Sequence, residues 1–239
     1  MAFESIDVEL FHPNRLDPIA IRELIESCLD FGCQTGPARP IARCLYNGEL
    51  TNHDLVAIDT TAAIEDLATT HSGSLELWYR ELGLLFGIST RLDSDPAAPG
   101  VWLSVDPVEF ESEDSGRTPD TVRRQVATLV EFVTFVAERT NPSYGCGCES
   151  RTETHRFPLD GSMVRGGTEK IEEIFWLTLF NPASVERIGR DKLLAAPAWQ
   201  VTELATRAVL MVLTDDPFDI GAIADARSAV ESHLDFLES

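Results

Sequence analysis

The sequence predicts an α+β protein, in which a mixed or antiparallel sheet, or two such sheets, is covered by helices. Two observations predict this class. Short segments rich in β-branched and aromatic residues alternate with amphipathic segments of helical period, as in sheets with helices packed on their faces. The segments also recur in order, which favours two β-α-β-β-α halves, residues 1–142 and 169–239, joined by a glycine-rich connector at 143–168. One compact domain with a single mixed sheet fits the pattern equally well.

The first predicted elements are a strand and a helix. Residues 5–11 alternate apolar and polar side chains, which is typical of a strand exposed on one face. Asp17 and Pro18 carry the signals of a helix start, and Gly32 carries that of its end. One face of this helix is apolar and comprises Ile21, Leu24, Ile25 and Cys28.

The next part of the chain is less regular. A short strand is predicted near residues 41–46 and a helix near 61–70. Clearer strands are predicted at 75–90 and at 101–110. Two prolines between them mark a turn or loop at 93–100.

The longest predicted helix begins after Thr118, which precedes a proline and an acidic residue, and ends at Asn141. Its wide apolar stripe predicts that it lies flat on a sheet. The stripe comprises Val122, Val126, Leu129, Val130, Val133, Val136 and Ala137. Residues 143–168 are polar and rich in glycine, and their length predicts a functional loop or a mobile connector.

The C-terminal segment is the best patterned. Residues 174–180 form an apolar, aromatic run typical of a strand buried on both faces. Asn181 and Pro182 then start a helix, which Gly189 divides into two short pieces. An extended segment at 199–213 predicts one or two strands. The last predicted helix has an apolar face formed by Ile223, Ala226, Val230, Leu234 and Leu237.

The composition of the chain is strongly acidic. Its 239 residues carry a formal net charge of -21, yet 44% of them are hydrophobic, which excludes a disordered chain. Of the basic residues, only Lys170 and Lys192 are lysines. This composition resembles that of proteins from salt-in halophiles, especially halophilic archaea, whose charges are screened within about 3 Å in molar salt. The alternative is an acidic surface for a basic partner, and nucleic acid is disfavoured as a partner.

The compartment follows from what the chain lacks. No basic region precedes an apolar run at the N-terminus, and no segment approaches the length of a membrane span. The five cysteines are odd in number and irregularly spaced, unlike a secreted disulfide framework. These observations predict a soluble cytoplasmic protein that does not contact a membrane.

The candidate reactive residues lie in the glycine-rich connector. Cys146 and Cys148 are flanked by glycines and preceded by Tyr144, and Arg151 and His155 follow. A thiol near a histidinium has a lowered pKa and can act as a nucleophile. The alternative is a tight turn in which glycine supplies positive φ and the cysteines fill space.

A metal site is a second interpretation of the same cysteines. Cys146 and Cys148 could bind zinc with His155, or with Cys33 and Cys44 from the first half. Their spacing is not that of a Cys-x-x-Cys knuckle. The chain also lacks the phosphate loop, the dinucleotide fingerprint, the His-Glu-x-x-His motif and the Gly-x-Ser-x-Gly elbow, so the sequence predicts no cofactor. Acidic residues near 215–219 are interpreted as turn and capping residues.

One family resemblance rests on the order of four C-terminal motifs. These are FWLTLFNP, VERIGRDKLLAAP, WQVTELATRAVLMVL and DDPFD. In this order they resemble the C-terminal part of immunity-type proteins of bacterial polymorphic and type VI toxin systems, and of uncharacterised haloarchaeal relatives. Such proteins carry a glycine turn between the last two strands, where this chain has residues 205–207 (Ala, Thr, Arg). The resemblance implies a non-enzymatic protein that binds another protein.

Two functional hypotheses follow. The first is a non-catalytic, immunity-like binding protein of a halophile, and the second is a small Cys-dependent or metal-dependent enzyme centred on Cys146 and His155. They differ in whether the thiols and the imidazole converge in a pocket. The sequence makes no prediction about the oligomeric state.

Overall fold

The computed structural model describes residues 6–12, 16–34, 42–45, 54–57, 74–79, 84–89, 100–105, 118–149 and 174–235. Its strands are β1 (Ile6–Phe11), β2 (Cys33–Gln34), β3 (Ala42–Leu45), β4 (Asp54–Ala57), β5 (Ser74–Tyr79), β6 (Leu84–Ser89), β7 (Val101–Val105), β8 (Tyr144–Glu149), β9 (Leu177–Phe180), β10 (Gln200–Glu203) and β11 (Val209–Val212). Its helices are α1 (Pro18–Phe31), α2 (Pro119–Thr140), α3 (Pro182–Ile188), α4 (Arg190–Leu194) and α5 (Ile220–Leu234).

The described strands form one sheet. Their order is β10-β11-β9-β8-β1-β7-β6-β5-β3-β4, with β2 paired to β5, and every described pair is antiparallel. The predicted α+β class is therefore confirmed, with an antiparallel sheet. Strands from both halves of the chain belong to it, and β8 joins the C-terminal strands to β1. The division into two halves stays a prediction.

The helix starts follow the sequence signals. The side chains of Asp17, Thr118 and Asn181 each accept a hydrogen bond from a backbone N–H of the first helical turn. Such a cap satisfies one of the amide groups that have no partner inside the helix. Gly32 ends α1 with a φ of 114°, which glycine adopts readily. These predictions are confirmed. The sequence could make them because capping depends on local chemistry alone.

Helices α1 and α2 cover one face of the sheet, which we call the α2 face. The strand registers place Tyr79 on the same face as Leu103 and Val8. The ring of Phe132 in α2 stacks on Tyr79 with centroids 5.5 Å apart, and Phe31 of α1 contacts both rings. The predicted apolar stripe of α2 is buried along its whole length.

The C-terminal elements are held by side chains that connect helices to strands and loops. Helix α3 contacts β9, α4 contacts β10, and α5 contacts α4. Arg190 of α4 donates two hydrogen bonds to the carboxylate of Glu203 on β10, at 2.8 and 2.5 Å. Arg123 of α2 pairs with Asp215 after β11 at 2.6 Å. All residues of β9 and β11 are buried, so both faces of the sheet are covered here.

The β10–β11 hairpin has an arginine at a loop position where glycine is common. Leu204 N–H donates to the Ala208 carbonyl, Arg207 N–H donates to the Leu204 carbonyl, and Arg207 has a φ of 66°. This is a three-residue hairpin loop with a left-handed third residue. The departure at 205–207 therefore does not abolish the hairpin.

Replacing Arg207 with glycine should raise the free energy of unfolding by about 1 kcal/mol relative to Arg207→Ala, because alanine keeps the Cβ that disfavours positive φ. Both variants lose the charge, so their difference isolates the backbone. Urea melts measure it. Equal stability of the two variants would show that the turn is relaxed.

Several details differ from the predictions. The strand predicted at 75–90 is two strands, β5 and β6, and the short strands β2 and β4 were not predicted. The helix predicted at 61–70 lies outside the described residues. Among the helices that the structure describes, none has the length and apolarity to cross a membrane.

Candidate functional site

Residues 144–149 form a central strand, so the prediction of a loop or connector for them was wrong. Strand β8 pairs with β1 on one side and β9 on the other, and its residues from Tyr144 to Cys148 are all buried. Alternating glycine and cysteine has little β propensity. Here the neighbouring strands determine the conformation, and that context is absent from the local sequence.

The two glycines of β8 serve close packing rather than a turn. A Cβ on Gly145 would lie 2.8 Å from Leu10 Cδ2 and 3.0 Å from Leu179 Cβ, and one on Gly147 would lie 3.0 Å from Val8 Cγ2. Neither glycine has a positive φ. Glycine at these positions leaves room on the α2 face for the side chains of β1 and β9, which flank the strand between them.

Replacing Gly145 with alanine should lower the free energy of unfolding by about 1–3 kcal/mol, because the added methyl overpacks a filled core. Gly147→Ala should have a smaller effect. A Cβ added at Gly221 in α5 would lie 3.4 Å from its nearest neighbour, so Gly221→Ala should be neutral or stabilising. Denaturant melts of the three variants test this order. A Gly145→Ala protein as stable as the parent would contradict the packing.

Cys146 and Cys148 point to the opposite face of the sheet. Cys146 lies between Glu9 of β1 and Thr178 of β9, and Cys148 lies opposite Asp7 of β1. The two cysteines are 0% and 1% exposed, and neither forms a disulfide. Two carboxylates of β1 thus neighbour the thiols, and only the register reveals this. A substrate in solution does not reach these sulfur atoms unless the strand is uncovered.

The alternative prediction of a zinc site that combines these cysteines with Cys33 and Cys44 is wrong. Strand β5, which pairs with both β2 and β3, is four strand positions from β8, or about 19 Å at the usual strand spacing. Zinc ligands must lie within about 2.3 Å of the metal. The described residues also contain no group of three or more potential metal ligands.

The other candidates divide into two groups. Tyr144 is buried, and its ring lies 6.0 Å from that of Phe11 on β1. Arg151 and His155 lie outside the described residues, so the pairing of a thiol with His155 stays a prediction. Cys28 is fully buried on α1, as its place on the apolar helix face predicted.

A network of hydrogen bonds joins β1, β8 and β9 beside Tyr144. Ser143 N–H donates to the Phe11 carbonyl at 2.8 Å, and the Asn181 side chain donates to the Ser143 carbonyl at 2.7 Å while capping α3. Asn181 therefore holds the start of α3 against the start of β8. The sequence indicated only its role as a cap.

His12 is a half-buried histidine at the same end of the sheet. Its imidazole packs on Gly100, where a Cβ would lie 2.5 Å from Nδ1, and both ring nitrogens are shielded from solvent. Burial lowers the pKa of His12 from 6.5 to about 4, and the backbone of Leu10 opposes this shift. A single histidine after a strand has no distinctive spacing, so the sequence assigned His12 no role.

Acidification should therefore destabilise the protein through His12. The unfolded chain binds a proton near pH 6.5 and the folded chain only near pH 4, so stability falls by up to about 3 kcal/mol as the pH drops through this window. Melts of the parent and of His12→Asn at constant salt measure the difference. Parallel stability curves for the two proteins between pH 7 and 4 would contradict an imidazole that stays neutral in the folded protein.

No protein-family model matches the chain, and no curated protein matches it. Among solved structures, the chain is similar to the Pseudomonas aeruginosa T6SS protein PA0821, with 12% sequence identity and a TM-score of 0.48. The alignment covers 95% of this chain and 72% of that chain. A likeness at this identity and TM-score carries no inference about function.

Proposed function

We propose that this chain is a non-catalytic, immunity-like protein that acts by binding another protein. The burial of Cys146 and Cys148 supports the proposal. A catalytic thiol has to ionise and meet its substrate, whereas these thiols lie within the central strand, at 0% and 1% exposure. The thiols of Cys146 and Cys148 thus contribute to packing, and we propose that the protein acts through its outer surface.

The resemblance of the C-terminal motifs to immunity-type proteins supports the same proposal. Its aromatic strand, helix pair and hairpin correspond to β9, α3 and α4, and β10 with β11. Because these elements are held to the sheet by Asn181 and Arg190, they form a fixed surface. A preformed surface binds with little loss of conformational entropy.

We propose further that the protein works in the cytoplasm of a halophile. The formal net charge of -21 supports this habitat, since such a surface is solvated but self-repelling in dilute buffer. The four cysteines whose side chains the structure describes are free thiols, which fits a reducing compartment.

The test of binding is capture followed by reconstitution. The tagged protein is incubated with host lysate in molar potassium chloride, and a recovered protein is then purified separately and mixed with it. We expect a stoichiometric complex by light scattering, and rescue of growth when a toxic partner is expressed together with this chain. Purified components that do not associate in any salt concentration would contradict the proposal.

A thiol assay distinguishes this proposal from the enzyme hypothesis. The native protein is treated with iodoacetamide, and labelling of Cys146 and Cys148 is quantified by mass spectrometry before and after unfolding. We expect labelling only after unfolding, and no stoichiometric zinc in the purified protein. Rapid native labelling at either cysteine, or zinc that is lost in Cys146→Ser, would favour the enzyme.

A further inference from the structure

We propose that the outer edge of β10 pairs with the same edge of a second copy of this chain, so that two sheets join into one across a two-fold axis. This inference goes beyond the binding of a foreign protein and concerns the assembly of the chain itself. It rests on the hydrogen-bonding pattern of β10 and on the distribution of charge around it.

The backbone of β10 presents unpaired groups at one end of the described sheet. In an antiparallel pair, alternate residues of a strand hydrogen-bond to the partner strand. The bond from Leu204 N–H to the Ala208 carbonyl shows which residues of β10 these are, so Gln200 and Thr202 direct their backbone groups to β11. Val201 and Glu203 then direct theirs outward. Among the described strands β10 pairs with β11 alone, and an edge of this kind is a template for another strand.

The segment that contains β10 differs in charge from the whole chain. Residues 174–213 contain four basic and three acidic residues, in a chain with a net charge of -21. The one acidic residue on β10, Glu203, is hydrogen-bonded by Arg190, which lowers the pKa of its carboxyl group. Two copies that meet through this segment bring together far less net charge than the chain as a whole carries, and this charge balance suits a second copy as the occupant.

The register of such a pair follows from symmetry. An antiparallel pairing centred on Thr202 places Val201 opposite Glu203 of the second copy and makes the four hydrogen bonds that these outward groups can form. The two Thr202 residues then face each other as a pair without mutual hydrogen bonds, with Cα atoms about 4.5 Å apart. The two Gln200 residues are about 14 Å apart along the same ladder.

The first test measures the mass in solution. Light scattering in molar potassium chloride should give twice the chain mass of 26.4 kDa at a concentration on the order of 0.1 mM, as expected for a small interface. Val201→Pro removes one outward donor and spares the bonds to β11, so the dimer should weaken at least tenfold. Val201→Thr keeps the donor and should leave the dimer unchanged. A parent that stays monomeric, or a dimer that Val201→Pro does not weaken, would overturn the proposal.

The second test reads the register and does not require proline in the strand. Thr202→Cys should give a disulfide-linked dimer under mild oxidation, because the Cα distance suits a disulfide. Gln200→Cys is the matched control, since Gln200 lies on the same strand face and its amide donates to Thr202 at 3.1 Å. We expect at least tenfold less crosslinking from Gln200→Cys. Equal crosslinking of the two variants, or none from Thr202→Cys, would overturn the pairing.

Discussion

Replacing Phe132 with alanine should lower the free energy of unfolding by about 3–5 kcal/mol, the usual cost of removing a buried phenylalanine. Phe132 is fully buried at the junction of α1, α2 and the sheet. Its ring lies 5.5 Å from those of both Phe31 and Tyr79, so alanine leaves a cavity bounded by three separate elements. Such a cavity collapses poorly, because no one element can move without losing its other contacts.

Phe135→Ala is the matched control for this change. Phe135 is one helical turn further along α2 and also contacts Phe31, at 4.3 Å, but it is only half-buried. Its removal should cost clearly less, since water fills the space that it leaves. Urea melts of both variants at fixed salt give the comparison. A Phe132→Ala protein that loses no more stability than Phe135→Ala would contradict the packing of α2 on the sheet.

The parts of the fold that the sequence predicts are those with local causes. Asp17, Thr118 and Asn181 cap their helices as predicted, because a cap needs only a side-chain oxygen and the next turn of backbone. The stripe of α2 was predicted because its period is internal to the helix. Phe132 falls outside the predicted stripe and is buried all the same, since the aromatic cluster extends the contact toward α1.

The candidate site could not be predicted in the same way. Gly145 and Gly147 suggested a turn because glycine is common in turns, and their role as spacers depends on the side chains of β1 and β9. Cys146 and Cys148 were singled out as candidate reactive residues, but their burial follows from the position of β8 in the sheet. Long-range strand order determines both features, and no local pattern encodes it.

The largest expected effect is that of salt. The excess of twenty-one negative charges repels itself at an ionic strength near 0.1 M, where the screening length is about 10 Å. Salt also has an opposite, destabilising effect, because it weakens the attraction within ion pairs. The described pairs are Arg190–Glu203, Arg123–Asp215 and Lys192–Asp235, and all are partly exposed. Exposed pairs contribute little to stability, so relief of the general repulsion should dominate and salt should stabilise the protein.

Below about 0.5 M salt we therefore expect partial or complete loss of tertiary structure, since the repulsion is poorly screened there and typical stability is only about 5–15 kcal/mol. Near-UV circular dichroism and thermal melts in potassium chloride measure the transition. Potassium sulfate should act more strongly per mole because it also strengthens apolar burial. Sucrose, which strengthens burial without screening charge, is the control and should not replace salt. A spectrum and melting temperature that stay constant from dilute buffer to molar salt would refute the halophilic habitat and assign the acidic surface to a basic partner.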